Sequence, residues 1–273
     1  MLTFTDLAAR PGFRITAVNC RDDHTRWAPA EVREDYRVVL VRRGRFRRRA
    51  AGTPVDVDRT VAYLGVPGEE EHFAHPADGG DVCTSISLTP ALWRVVAGED
   101  ARPARQSVYV GAGLDLAHRR VLASARTGDV DHAVTEELLG LLSVTVGRAV
   151  DGAVPAAVRP GRDDAKLVTA ARHAIGAAHP ASAGLLSLAE LLGVSPYRLS
   201  RSFTRELGVS LTRYRNRVRI GRALDRLDAG EDSLAGLAAD LGFSDQAHLC
   251  RTMRQHLGHT PTALRRLLAP RSS

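Results

Sequence analysis

Two segments near the C-terminus, 188–215 and 237–265, each carry a set of mostly polar or basic side chains, and most of these positions match. In the first segment they are Tyr197, Arg198, Ser200, Arg201 and Arg205, and in the second they are Gln246, Ala247, His248, Cys250 and Arg251. Arginine can donate two hydrogen bonds to the edge of guanine, and glutamine can pair in the same way with adenine. Ala247 and Cys250 offer only apolar contact, for example to a thymine methyl group. The residue types and their spacing therefore predict contacts with base edges in a DNA groove.

The two segments are copies of one unit. The copies match at an offset of 49 positions up to Ser195 and Ser244, and at an offset of 50 positions after one inserted residue, which the alignment assigns to Gln246. Each copy predicts a short apolar helix, a tight turn at Gly193 or Gly242, and a second helix whose N-cap is Ser195 or Ser244. This is the layout of a helix-turn-helix, in which the second helix enters the major groove.

The apolar positions of each second helix define its inward face. These positions are Leu199, Phe203 and Leu207 in the first copy and Leu249, Met253 and Leu257 in the second. Between the copies, 210–228 is predicted to form one helix of about 28 Å, close to the ~34 Å repeat of major grooves on one face of B-DNA. Its arginines are Arg213, Arg215, Arg217, Arg219, Arg222 and Arg226. They are free to meet phosphates, to solvate the helix or to pair with Asp225 and Asp228, and the sequence leaves these options open.

The excess positive charge of the chain lies in this half. Residues 164–273 contain 16 Lys and Arg against 9 Asp and Glu, whereas residues 1–163 contain 22 of each. A net charge of +7 confined to the repeat-bearing half is what binding to phosphate requires.

The front part of the chain has the pattern of short strands separated by turns. Strands are predicted at 36–41, within 53–64 and at 82–88, with an acidic loop at Glu69–Glu71. The run Arg42–Arg49 is predicted to be a basic hairpin around Gly44, either exposed to solvent or holding an anionic effector or DNA. Evenly spaced strands indicate a small barrel or sandwich.

Helical periodicity begins after the strands. Helices are predicted at 114–125 and 130–150. The second carries an apolar stripe that packs on its own barrel, in a dimer seam, or in both on different faces. Residues 151–162, rich in proline and glycine, are predicted to be a linker. Asp163 or Asp164 is expected to cap the next helix, which ends before Pro180.

The C-terminal ~110 residues resemble the DNA-binding domain of the AraC-type (AraC/XylS) transcriptional regulators. The matching positions are Gly242, Phe243, Ser244, Gln246, His248, Arg251, Gly258, Thr260, Pro261 and Arg265, whereas Leu249, Met253 and Leu264 replace usual aromatic residues. The resemblance implies that Tyr197, Ser200, Arg201, Gln246, Ala247, Cys250 and Arg251 read bases. It also implies an N-terminal cupin-like barrel that senses a small molecule or mediates homodimerisation.

The expected fold is therefore an α+β two-domain chain, with a cupin-like β-barrel and its helices over residues 1–150 and an all-α, seven-helix double helix-turn-helix domain over residues 163–273. The expected function is sequence-specific DNA binding by a transcriptional regulator, and the resemblance favours activation through RNA polymerase. Two alternatives are a cupin enzyme with a DNA-binding anchor and an architectural protein that binds DNA without sequence preference.

Several classes of site are not expected. The early strands lack the His-x-His pair of a catalytic cupin, so neither an enzyme nor a metal or other cofactor is predicted. The three cysteines, Cys20, Cys83 and Cys250, are few and far apart in sequence, which argues against a disulfide framework or a zinc site. No signal peptide and no apolar run of membrane-spanning length are found, so a cytoplasmic location is expected.

Overall fold

The computed structural model describes residues 1–21, 25–50, 52–77, 79–150 and 162–268. The described residues fall into two compact units, one within residues 1–153 and one within residues 154–266. The expected fold class, a front sheet domain followed by an all-α helix-turn-helix domain, is confirmed. The predicted linker, apart from its last residue, lies outside the described residues.

The front unit contains one nine-stranded antiparallel sheet among its described residues. Its strands are β1 (Leu2–Arg10), β2 (Phe13–Cys20), β3 (Glu31–Val32), β4 (Tyr36–Ala50), β5 (Thr53–Asp58), β6 (Val61–Gly65), β7 (Glu70–Ala74), β8 (Asp81–Leu88) and β9 (Ser107–Tyr109). The sheet order is β1-β2-β8-β4-β5-β6-β9, and β7 pairs with both β3 and β4. Strand β4 bonds to β8 and β6 along its first half and to β5 and β7 along its second half. This double use of one long strand curls the sheet into a barrel-like form.

The predicted hairpin at 42–49 was wrong, because β4 runs through this segment without reversing. The pairing of β4 with β8 shifts register between Val41 and Arg43, which marks a β-bulge. Gly44 follows with a positive φ of 71°. A Cβ at Gly44 would overlap the carbonyl oxygen of Gly80 and lie 2.9 Å from the Cα of Asp81. Glycine therefore permits a bend and a close strand approach here, not a turn.

The predicted acidic loop was also wrong in part, because Glu70 and Glu71 begin β7. Glu71 is buried and bonds to Arg37 and to Arg48 Nε, the latter at 2.6 Å. The guanidinium of Arg48 also lies 4.7 Å from the ring centroid of Tyr63. A charge that pairs across strands can be buried in a sheet, and local sequence does not show the partner.

Helices cover one side of the sheet. They are α1 (Pro90–Ala97), α2 (Ala112–Thr127), a π-helical turn (Val130–Val134) and α3 (Thr135–Val150). Helix α1 lies in a region predicted to contain only strands. Its N-cap is Thr89, and the ring of Trp93 stacks on Tyr36 at 4.2 Å between centroids.

The apolar stripe on α3 packs on its own barrel. Val134, Leu138, Leu141 and Leu142 are at most 1% exposed and belong to the same core as Ile15, Leu40 and Ile86 of the sheet. These side chains therefore pack within their own unit and are not available for a dimer seam, whereas Leu139 and Val144 on α3 are exposed. A second, smaller core contains Val39, Phe46, Val57, Tyr63 and Cys83.

The second unit is all α. Its described helices are α4 (Arg162–Gly176), a 3₁₀ turn (Pro180–Ala183), α5 (Leu185–Leu191), α6 (Pro196–Leu207), α7 (Leu211–Asp228), α8 (Leu234–Asp240), α9 (Gln246–Leu257) and α10 (Pro261–Leu268). Asp163 and Asp164 lie in the first turn of α4, not at its cap, because the helix begins at Arg162. Helix α7 is about 27 Å long and packs against α4, α6 and α9.

Candidate nucleic-acid interface

Helix α6 is the second helix of the first copy, and local interactions set both of its ends. Ser195 is the N-cap, as predicted, and its hydroxyl accepts a hydrogen bond from the Arg198 amide at 3.2 Å. Pro196 occupies the first turn, and Gly208 ends the helix with a φ of 71°. Leu199 and Phe203 are fully buried, as predicted. These contacts fix which face of α6 remains exposed.

The exposed ridge of α6 consists of Tyr197, Arg201 and Thr204, spaced at i, i+4 and i+7. Tyr197 is 69% exposed. Arg201 Nη1 donates to the Tyr197 hydroxyl at 2.7 Å, and its guanidinium lies 5.5 Å from the centre of that ring. Stacking on tyrosine holds the arginine over the ridge while leaving its other N–H groups free to donate. Ser200 is half-buried beside this ridge.

Arg198 and Arg205 lie on a different side of α6, where both contact Asp164 of α4. Arg198 Nη2 is 3.4 Å from one Asp164 oxygen, and Arg205 bonds to the other. Partial desolvation acts to raise the pKa of Asp164, but hydrogen bonds from Ser202 and Arg205 hold the pKa below its ordinary value. These two predicted DNA contacts therefore already hold α6 against α4.

Helix α9, the second helix of the second copy, is capped by Asp245 and not by Ser244 as predicted. The Asp245 side chain accepts from the His248 amide at 2.6 Å, and this bond lowers the pKa of Asp245. Helices α6 and α9 both have 12 residues, so Pro196 corresponds to Gln246. The inserted residue therefore lies in the turn, where it moves the cap one position beyond the serine.

His248 is placed by this turn. Its Nδ1 lies 3.1 Å from the Ser244 hydroxyl, and its ring meets Phe243 edge-on at 5.3 Å between centroids. A half-buried ring with these partners positions the start of α9.

The exposed ridge of α9 consists of Ala247, Arg251 and Arg254, at the positions equivalent to the α6 ridge. Gln246 is exposed at the start of the helix, and Cys250 is half-buried beside the ridge. Leu249, Met253 and Leu257 are buried as predicted. Thr204 and Arg254 were not among the predicted contacts. Helical periodicity would have found them, since each lies three residues after Arg201 or Arg251 on the face opposite the buried leucines.

The arginines of α7 have mixed environments. Arg217 is buried, and Arg226 bonds to Asp240 and Glu231, at 2.5 Å in each case. Arg222 donates to the Gly176 carbonyl at 2.8 Å. Arg226 thus forms ion pairs with the last residue of α8 and with the loop that precedes α8.

Two further α7 arginines form a positive stripe with Arg222. Desolvation lowers the pKa of Arg215, and desolvation together with the charges of Arg215 and Arg222 lowers the pKa of Arg219. Arg219 also stacks on Phe243, with 5.4 Å between its guanidinium and the ring centroid. Helix α7 therefore carries several positive charges close to the turn of the second copy. A bound anion would reduce the repulsion between these charges.

The basic segment 42–49 of the front unit is largely engaged in its own unit. Arg48 is buried against Glu71, while Arg47 and Arg49 lie 5.1 and 4.7 Å from the ring of Trp27. Neither a solvated hairpin nor a free basic patch describes these three arginines.

Cysteines that are far apart in sequence meet in the front unit, contrary to what their scatter indicated. Cys20 and Cys83 lie in one buried cluster with His75 and Asp81. Among the helices of the described residues, none combines the length and the apolar character that crossing a membrane requires.

Comparison with known proteins supports the helix-turn-helix interpretation. A family model described as a helix-turn-helix domain matches residues 188–267. Regulatory protein PocR of Salmonella typhimurium (strain LT2) is 32% identical over 106 residues, covering 39% of this chain and 35% of PocR. The arabinose operon regulatory protein of Escherichia coli (strain K12) is 31% identical over 81 residues, covering 30% of this chain and 28% of that protein.

The chain thus spans about a third or less of the length of these curated relatives. The crystal structure of ToxT from Vibrio cholerae O395 aligns with a TM-score of 0.40 at 11% identity, covering 95% of this chain and 99% of ToxT. With its two matching copies and its family match, the segment 188–267 is a helix-turn-helix domain of the AraC type, as the resemblance in sequence predicted.

Proposed function

We propose that this protein is a sequence-specific DNA-binding transcriptional regulator. The observation that carries the proposal is the pair of equivalent exposed ridges, Tyr197–Arg201–Thr204 on α6 and Ala247–Arg251–Arg254 on α9. Each ridge is the outward face of a helix whose inward face is closed by buried apolar side chains, the arrangement of a recognition helix. Two such helices within one unit, joined by the ~27 Å helix α7, fit a site with two half-sites.

The proposed base-reading residues are a revised set. They comprise Tyr197, Ser200, Arg201 and Thr204 in the first copy and Gln246, Ala247, Cys250, Arg251 and Arg254 in the second. Arg198 and Arg205 act chiefly through Asp164, and His248 acts through Phe243, so these three position the helices. Arg215, Arg219 and Arg222 are proposed to contribute the positive field that draws DNA to the unit.

The front unit is proposed to control DNA binding, either by taking up a small-molecule effector or by homodimerisation. An effector with different affinities for two states of the chain would shift their populations and so change occupancy of the operator. The family type favours activation through contact with RNA polymerase. Sheet and helices of residues 1–150 share one large apolar core, and we propose that this core couples effector binding at the sheet to the packing of the helices.

Selection of bound genomic fragments tests the proposal. The purified full chain is incubated with sheared DNA of its own genome, and bound fragments are sequenced. Two short motifs about one helical turn apart are expected, with a salt dependence equivalent to about 6–10 neutralised phosphates. Equal enrichment of all fragments would instead indicate an architectural protein, and a salt slope near zero would contradict groove binding by both helices.

A further inference from the structure

Four side chains with metal-ligand chemistry meet in the front unit: Cys20, His75, Asp81 and Cys83. All four are at least nine-tenths buried. One ligand atom each from Cys20, His75 and Asp81 lies within 4.8 Å of the other two. His75 Nε2 is 2.9 Å from Asp81 Oδ1, and Cys83 Sγ donates to Asp81 Oδ2 at 2.7 Å. The Asp81 carboxylate is therefore the centre of a sulfur-, nitrogen- and oxygen-containing cluster.

The register of the sheet brings these residues together. Cys20 at the end of β2 is the direct partner of Asp81 at the start of β8, and Cys83 lies two residues further along β8. Side chains two residues apart on a strand share one face, so Asp81 and Cys83 point to the same side of the sheet. His75 follows directly after β7, on the connection to β8.

Two glycines allow the backbones to approach closely enough. A Cβ at Gly80 would lie 2.9 Å from the Cys20 carbonyl oxygen, and a Cβ at Gly44 would lie 2.9 Å from the Asp81 Cα. Both glycines have positive φ angles, 88° and 71°. The strand ends that carry Cys20 and Asp81 are thus packed too tightly for any other residue at these two positions.

We propose that Cys20, His75, Asp81 and Cys83 form a binding site for a thiophilic divalent cation of the zinc class. Two thiolates, an imidazole and a carboxylate are a four-ligand set that suits tetrahedral Zn²⁺. Bond lengths of about 2.0–2.3 Å place tetrahedral ligand atoms roughly 3.3–3.8 Å apart. The ligand atoms of Cys20, His75 and Asp81, which lie within 4.8 Å of one another, therefore need to move by about 1 Å. Each thiol releases its proton to solvent when its sulfur binds the cation.

The Cys83 thiol must lose its proton for a cation to bind its sulfur. Burial and the adjacent Asp81 carboxylate raise the pKa of the Cys83 thiol well above its ordinary value, and the charge of Arg42 opposes them. A divalent cation reverses the effect of burial because it stabilises the thiolate directly. The bound set would carry a net charge of −1, which the nearby Arg42 guanidinium offsets.

A metal site fits the geometry better than a disulfide. Cys20 and Cys83 are diagonal neighbours on adjacent strands, for which the Cα separation is about 7–8 Å. Disulfides need about 4.4–6.8 Å. A cation bonded to both sulfur atoms bridges the longer distance, and Asp81 lies between the two cysteines to complete the site.

Titration of the full chain with Co²⁺ as a spectroscopic probe, followed by Zn²⁺, tests the site. One Co²⁺ per chain is expected, with the charge-transfer absorption of thiolate ligation and the visible bands of tetrahedral cobalt, and Zn²⁺ should displace it. Both tryptophans, Trp27 and Trp93, lie in the front unit, so their fluorescence reports its unfolding. Zn²⁺ at about 100 times Kd should raise that Tm by roughly 5–10 °C.

Substitutions identify the ligands. Cys83→Ser and Asp81→Asn should each weaken Co²⁺ binding by at least about 100-fold. Cys250→Ser, which removes the thiol of the other unit, should leave cobalt affinity and spectrum unchanged. Thermal melting of the metal-free variants verifies that each variant is folded. If a variant does not fold, the cobalt spectrum of the unsubstituted chain tests thiolate ligation instead.

Three outcomes would overturn the proposal: cobalt bound without thiolate bands, unchanged affinity in Cys83→Ser, or no binding while mild oxidation links Cys20 to Cys83. None of these readouts involves DNA, so the metal site stands or falls separately from the proposed regulator function.

Discussion

Replacing Arg201 with alanine is expected to weaken binding at one base pair of the operator. Arg201 lies on the exposed ridge of α6, and its described partner is the neighbouring Tyr197, to which it donates one hydrogen bond of 2.7 Å. Its remaining N–H groups can form a bidentate pair with guanine, a contact that contributes about 1–3 kcal/mol of discrimination. Arg201→Ala should therefore reduce affinity roughly 5- to 150-fold for the selected operator, while the loss should be small for operators already altered at that base pair.

Arg198→Ala is the matched control. Arg198 lies three residues before Arg201 on the same helix, but its side chain faces Asp164 at 3.4 Å. Arg198 is about half exposed in this pair, so its loss should cost about 1 kcal/mol. The effect on DNA binding should be uniform across sequences.

Fluorescence anisotropy with the operator from the genomic selection, and with every single-base variant of it, measures both substitutions. A loss for Arg201→Ala that is equal on all sequences would show that Arg201 holds a phosphate. A position-specific loss for Arg198→Ala as large as that for Arg201→Ala would refute the assignment of helix faces.

Three further predictions concern stability. Ser195→Ala should destabilise the helical unit by about 1 kcal/mol, because it removes the N-cap of α6, whereas Ser244→Ala should have a smaller effect because Asp245 caps α9; urea unfolding followed by circular dichroism compares them, and equal losses would contradict the capping assignment. Burial lowers the pKa of His118 to about 4, so the unfolded state binds its proton more readily and stability present above pH ~6.5 should fall by about 3 kcal/mol as pH drops to 4; His118→Gln should lack this contribution in tryptophan-monitored unfolding, and an unchanged pH slope would refute it. Gly44→Ala should destabilise the front unit by at least about 2 kcal/mol, since its φ is 71° and an added Cβ overlaps backbone atoms; wild-type stability in the same assay would show that β4 can shift.

Helices α6 and α9 could be predicted from sequence because their signals are local. Leu199 and Phe203 recur at helical spacing, Ser195 and Pro196 mark a helix start, and Gly208 marks its end. Each of these signals involves residues within one or two turns of each other, so the chain needs no tertiary context to express them. The repeat supported the prediction of both helices, since the second copy preserves the same apolar positions.

The N-cap of α9 could not be predicted from such local signals. Both Ser244 and Asp245 are good N-cap residues, and the alignment of the copies favoured the serine. The turn before α9 packs Phe243 against His248 and Arg219, and Arg219 belongs to a helix that begins 35 residues before α9.

The sequence by itself determined the class of the protein: a strand-rich front, an all-α basic rear, two copies of a helix-turn-helix and the inward faces of their helices. Only the tertiary structure decided that Asp164 forms ion pairs with Arg198 and Arg205, that Glu71 is buried against Arg48, and that Cys20 lies opposite Asp81 in the sheet. The physical reason is range. Helical periodicity and caps act between near neighbours in sequence, whereas these contacts depend on strand register and helix packing between residues 23–61 positions apart. Such long-range pairings exist only once the whole unit has folded.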